Sequence, residues 1–171
     1  MRKRQPSSVR ADGDWIQVVD AAYGSASDLA AWGNAVFESM TQVFSGDGVI
    51  AHMIRHSEEC RVTAVPFVAT NIAAWRVGSS FFDENGITHD TLRAFYYPRT
   101  IVETHGGMRA RFDRTLRAVL DGFRARTGIV DAIGIVIHPE PGAVVVVQTV
   151  TESEALLHPD ERRRLTWLGL H

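Results

Sequence analysis

Between Ala132 and Val150 the chain runs apolar, then turn, then apolar again. Ala132 to His138 leads into Pro139-Glu140-Pro141-Gly142, and Ala143 to Val150 follows with valine at each of positions 144 to 147. β-Branched side chains favour the pleated surface of a sheet, and a four-residue linker of this composition reverses the chain. The spacing predicts a β-hairpin. A second pair lies earlier. Val49 to Ile54 is apolar on both faces except for His52, as in a covered strand, and Arg61 to Val68 follows the short polar connection His56-Ser57-Glu58-Glu59-Cys60. Pro66 cannot donate to a ladder, so this last strand lies on an edge or ends there. Two hairpins dictate an antiparallel sheet.

The rest of the pattern is helical. Trp15 to Ala22 forms a short helix ending at Gly24. Leu29, Trp32, Val36, Phe37, Met40 and Phe44 then recur at offsets of three and four, the apolar stripe of a surface helix. Ser25 or Ser27 is its expected cap, with Asp28 in the first turn. A short helix at Ile72 to Trp75, a loop through residues 81–86 and a helix from Thr88 to Tyr97 occupy the irregular middle, closed by Pro98. Thr100 to Thr104 reads equally as a strand or a helical turn. Met108 to Arg126 reads as one long helix with Phe112, Leu116, Val119, Leu120 and Phe123 on its inner side, Arg111, Arg114, Arg117 and Arg124 outside, an Arg117–Asp121 pair and Gly128 as the stop. Pro159 opens a last helix through Leu165 and Leu168. Helices before, between and after the strand pairs are expected to cover one face of the sheet, giving an α+β sandwich.

Composition narrows the function. The 171 residues are 45% hydrophobic and 22% charged, an ordinary single globular domain. Four of the eighteen basic residues fall within the first ten, a Pro/Ser-containing stretch expected to be a disordered basic tail over residues 1–12. The remaining body holds fourteen basic against twenty acidic residues, a balance of −6. Such a body is poorly suited to bind phosphate backbones. No apolar run approaches the ~20 residues of a membrane span, and the lone Cys60 fits a reducing, cytoplasmic setting.

Catalytic and metal chemistry find no anchor. His52 and His56 sit four apart on an extended stretch, His89 and His105 are isolated, and neither Cys-x-x-Cys nor His-Glu-x-x-His occurs. Cys60 has no His or Asp patterned beside it. No serine lies in a Gly-x-Ser-x-Gly elbow, and Gly46-Asp47-Gly48 is a plain turn. Glu58-Glu59 and Asp83-Glu84 are carboxylate pairs in polar loops. The expectation is a protein that is not an enzyme, with no metal, no cofactor and no catalytic residue.

One concentration points to binding. Trp75, Phe81, Phe82, Phe95, Tyr96 and Tyr97 place six of the fifteen aromatic residues within the 23 positions from 75 to 97. They either fill core beneath a long insert or line an apolar pocket, and the residues alone leave both open. Tyr hydroxyls and His52 would be the polar handles of such a pocket.

The last third carries a resemblance. After the Arg-rich helix come Gly128-Ile129-Val130-Asp131-Ala132-Ile133-Gly134, strand, turn, strand, and then His158-Pro159-Asp160-Glu161-Arg162-Arg163-Arg164-Leu165. This order is similar to the sensor half of LuxR-type helix-turn-helix transcription regulators that carry an N-terminal GAF-like domain. There a Gly-x-x-Asp-Ala-x-Gly-like stretch opens the late hairpin, and a Pro-x-Glu-Arg-like start opens a helix leading to the DNA-binding module. The motif covers residues 128–165 and the outline residues 28–171.

The resemblance implies a GAF/PAS-like sandwich over residues 13–171, binding an unidentified small molecule between the sheet and the aromatic insert. His52, Trp75, Phe81, Phe82, Phe95, Tyr96 and Tyr97 would be its ligand-binding residues. It also implies a homodimer through the first and last helices, with Trp15, Ile16, Val19, Leu165 and Leu168 in the seam. DNA would be bound only by a module following residue 171; the chain stops mid-pattern at Trp167 to His171 and reads as a trimmed piece. Phe95-Tyr96-Tyr97-Pro98 only loosely matches the aromatic-and-aspartate arrangement of acyl-homoserine-lactone-binding members, so the ligand class stays open. The alternatives are a ligand-free GAF-like dimerisation module and, more distantly, a small enzyme on the same scaffold.

Overall fold

A computed structural model describes residues 9–10, 13–24, 28–44, 48–73, 75, 88–98 and 100–170. Its centre is a five-stranded antiparallel sheet. The strands are β1 (Val49–His56), β2 (Val62–Thr70), β3 (Val102–Thr104), β4 (Asp131–Glu140) and β5 (Ala143–Thr151), in the order β2-β1-β5-β4-β3. Both expected hairpins form, and the ambiguous 100–104 stretch supplies the edge strand β3. Pro66 lies on β2, the other edge, beside a register irregularity opposite Met53 and Arg55, where its missing N–H disrupts nothing.

The described helices are α1 (Trp15–Tyr23), α2 (Leu29–Val43), α3 (His89–Tyr96), α4 (His105–Arg111), α5 (Arg114–Thr127) and α6 (Pro159–Leu170). Side-chain oxygens satisfy the first free amides: Asp14 accepts from Gln17 at 3.0 Å and Thr88 from Thr91 at 3.1 Å. On α2 the cap is Asp28 itself, accepting from the Ala31 amide at 2.8 Å; Ser25 and Ser27 lie outside the described residues. The single helix expected over 108–126 is two. The chain turns at Phe112, whose ring is buried, and extended Asp113 caps α5 through the Leu116 amide at 2.8 Å. Asp121 consequently pairs with Arg109 across the break, not with Arg117, whose guanidinium takes the Arg109 and Ala110 carbonyls. Gly128, at φ 73°, ends α5 in the left-handed conformation.

Helices cover both faces of the sheet, a correction to the expected single layer. The reason is visible in the strands: β5 is buried along its whole length, on both sides. On one face α1, α2 and α6 close a continuous core, joining Val36, Phe37, Met40, Leu165 and Leu168 to Met53, Ile133, Ile135 and Val147. Each fully buried side chain of this kind, Met40 or Leu165 for example, contributes roughly 1.5–3 kcal/mol. Two glycines allow close approach. A Cβ at Gly33 of α2 would stand 2.3 Å from the Phe67 ring, and one at Gly169 of α6 would stand 2.5 Å from Ile101 Cγ2.

The other face is built differently. Beneath α3, α4 and α5 the apolar contacts separate into three small clusters, one around Phe123 of α5, one around Leu92 of α3 and one around Phe112 between α4 and α5. Polar residues occupy the gap between them. Val9 and Arg10, inside the expected tail, dock on the end of α2: Val9 bridges Phe44, and the Arg10 amide donates to the Val43 carbonyl at 2.8 Å. No helix among the described residues is long and apolar enough to cross a membrane.

Candidate ligand cavity

Two rows across the sheet form the floor of a cavity on this second face. One row is His52, Val146 and Val136, in register from β1 through β5 to β4. The next is Gln148, Gly134 and Glu103, from β5 through β4 to β3. The roof comes from Trp75, from Phe95 and Tyr96 of α3, from His105 and Met108 of α4, and from Phe123 of α5. The volume is about 50 Å³, room for a few waters and below the roughly 300–1,000 Å³ of drug-sized ligand sites.

His52 is 4% exposed, and neither ring nitrogen has a hydrogen-bond partner among the described residues. Trp75 stacks on it with centroids 5.3 Å apart and planes 30° apart, while Tyr96 meets it edge-on at 5.8 Å. Desolvation lowers its pKa to about 4, so at neutral pH the ring is uncharged and presents one N–H and one bare nitrogen. His105, 7% exposed, behaves alike. Its Nδ1 has no partner among the described residues, and burial lowers its pKa to about 4; nearby Asp131 opposes that shift and Arg124 adds to it. Leaving a neutral polar group buried and unpaired costs roughly 1–3 kcal/mol. Two such groups around one cavity are a marked departure from the general rule of satisfaction.

The neighbouring charges are neutralised. The buried Glu103 carboxylate accepts from the Thr104 amide at 3.1 Å and is paired with Arg111. Asp131, also buried, accepts from the Gly106, Ala132 and Ala155 amides at 3.0, 2.8 and 2.9 Å and lies 3.5 Å from the Arg124 guanidinium. Arg111 and Arg124, expected on a solvent-facing side, thus both reach inward to carboxylates. Burial raises the Tyr96 pKa to about 12, keeping its hydroxyl protonated.

Of the seven residues singled out from the sequence, the cavity gathers His52, Trp75, Phe95 and Tyr96. Phe81 and Phe82 lie outside the described residues. Tyr97 does not join: it is the C-cap of α3, leaves the helix there, and turns outward to stack on His138 at 4.6 Å with its hydroxyl on His56 Nε2. The sequence reading missed Glu103, His105, Met108, Phe123, Gly134 and Gln148. Gln148 breaks the valine run of β5 but stands next to Thr149, and Glu103 stands next to Thr104, so neither is set apart from its strand as His52 is. Among the described residues no group of three or more His, Cys, Asp or Glu side chains is arranged to hold a metal ion.

No protein-family model matches the chain, and no curated protein matches it either. Among solved structures it is similar to Escherichia coli SdiA, a LuxR-type regulator, with a TM-score of 0.55 at 12% identity; the likeness covers 91% of this chain and 63% of that one. The chain therefore spans less than two thirds of that protein's length. At this identity the likeness carries the fold, an open antiparallel α+β sheet found in a LuxR-type regulator, and does not single out a GAF-like one.

Proposed function

We propose that this chain is the sensor domain of a LuxR-type transcription regulator, binding a small molecule in the cavity between the sheet and α3–α5. The observation that carries the reading is the pair of buried imidazoles lining an aromatic-walled space, in which both ring nitrogens of His52 and the Nδ1 of His105 have no hydrogen-bond partner among the described residues. A ligand would supply those partners. Its occupancy would be felt at α6 on the opposite face, because β3 and α4 are tied to that helix. Arg162 of α6 donates to the Val102 carbonyl of β3 at 2.7 Å, and Asp131 joins Gly106 of α4 to Ala155 in the segment leading to α6. A ligand that favours one arrangement of these elements shifts its population, and a DNA-binding module following α6 would read the shift. The setting would be cytoplasmic.

The dimer seam takes a revised form in this reading. Leu165 and Leu168 are buried in the chain's own core, so the terminal helices would pair through Ile16 and Tyr23 of α1 and Trp167 and Leu170 of α6, which are exposed. The small cavity and this exposed apolar set favour the second reading, a dimerisation module that binds no ligand. Native mass spectrometry of protein purified from its own host separates the two. A bound small molecule, lost in a variant with Gly134→Val in the cavity floor, supports the sensor; a bare homodimer supports the module.

A further inference from the structure

We infer that the cavity is built for a compact, uncharged planar ring bearing an N–H donor beside an acceptor, a cyclic amide of the lactam or pyridone class. This rests on the sensor reading above and specifies its ligand. Four observations point the same way. Among the described residues both ring nitrogens of His52 on the floor and the Nδ1 of His105 in the roof are unpartnered, and together they ask for both a donor and an acceptor. Glu103, the charged residue among the described lining, is already paired with Arg111, and Asp131 with Arg124 at 3.5 Å lies outside the lining. An anion would meet Glu103 without a counter-charge, and a cation would have to displace Arg111. The walls are flat: Trp75 lies face-on to His52 and Tyr96 edge-on, geometries that accept another ring. Finally, the apolar part of the floor is only Val136 and Val146, and the volume is about 50 Å³, so a long alkyl chain has no trough to lie in.

The test titrates the 171-residue protein with four probes of similar size: 2-pyridone, hexanamide, benzoate and benzylamine. The readouts are the imidazole ¹⁵N shifts of His52 and His105 and the thermal midpoint. The expected result is that 2-pyridone moves both sets of ring nitrogens and raises the midpoint, and the other three do neither. His52→Phe should weaken 2-pyridone binding by about tenfold without lowering the midpoint, because it removes a polar group that has no partner; His105→Phe checks the roof in the same way. Preferential binding of hexanamide, benzoate or benzylamine at these histidines overturns the cyclic-amide class and leaves the sensor reading standing. Silence from all four probes overturns it too. If host-purified protein then carries no small molecule, the sensor reading falls with it.

Discussion

Glu103 faces Gly134 across the β3–β4 ladder, and Gly134 in turn faces Gln148 across β4–β5. The glycine between these two polar side chains has no conformational necessity: it is absent from the residues with positive φ. A Cβ built there would find only ordinary contacts, with Gln148 Cβ at 3.6 Å and its Oε1 at 3.8 Å. What the position provides is space on the cavity floor.

Substitution at Gly134 should therefore separate folding from binding. Gly134→Ala removes unfolded-state freedom in a strand that has room for the methyl, so stability should rise by about 0.5–1 kcal/mol. Gly134→Val adds a side chain suited to a strand and projects it into the cavity. Urea unfolding should show both variants at least as stable as the parent, and only the valine variant should lose ligand uptake. A destabilised alanine variant would mean the floor is already filled.

The two cavity histidines set the pH response. Both have pKa values lowered from 6.5 to about 4, so the unfolded chain binds their protons first as pH falls. Their contribution is complete above pH 6.5 and is lost progressively between 6.5 and 4, at roughly 1.4 kcal/mol per pH unit for each ring. Relative to pH 7, the pair should cost about 3–4 kcal/mol by pH 5. Denaturant melts across pH 7 to 4 test this: the His52→Phe, His105→Phe double variant should show a much flatter profile, and an unchanged slope would exclude these rings as its source.

Asp131 is the junction between cavity roof and terminal helix. Its carboxylate takes three amides, with Oδ1 on Gly106 and Ala132 and Oδ2 on Ala155. Asp131→Asn keeps the shape but turns one oxygen into a donor, and placing the NH₂ toward Ala155 sacrifices the fewest bonds. It also leaves the inward-facing Arg124 without its counter-charge. The expected loss is about 2–3 kcal/mol, accompanied by faster hydrogen exchange at the Ala155 amide than at Ala132. Equal exchange at the two amides would argue against the preferred orientation.

The sheet was legible because its signals are local: a valine run, two turn-rich linkers and a proline that had to lie at an edge or end its strand. The cavity was legible only in part. His52 stood out as polar on an apolar strand, and the aromatic cluster led to Trp75, Phe95 and Tyr96. The opposing wall did not, because Glu103, Gly134 and Gln148 meet only through the register of three strands, and the stretch between Glu103 and Gly134 contains two helices. Tyr97 misled for a related reason: one residue past Tyr96, at the end of a helix, reverses the direction of a side chain. The helix break at Phe112-Asp113 was masked by an apolar stripe that continues in register on both sides of it.

Arg162 offers the most direct test of coupling between the two faces. Its Nη1 donates to the Val102 carbonyl at 2.7 Å, and the same carbonyl also receives the Thr100 hydroxyl at 2.8 Å. Removing the guanidinium leaves that acceptor satisfied, so Arg162→Met, which keeps the aliphatic stem, should cost only about 1 kcal/mol or less. The transmission of occupancy should suffer more than the fold. In the parent, ligand bound against Glu103 and His105 should change hydrogen exchange along α6. In Arg162→Met the ligand should still bind with similar affinity while the α6 response shrinks, because β3 no longer carries a side-chain tie to that helix. An undiminished α6 response would assign the coupling to Asp131 and Ala155 alone.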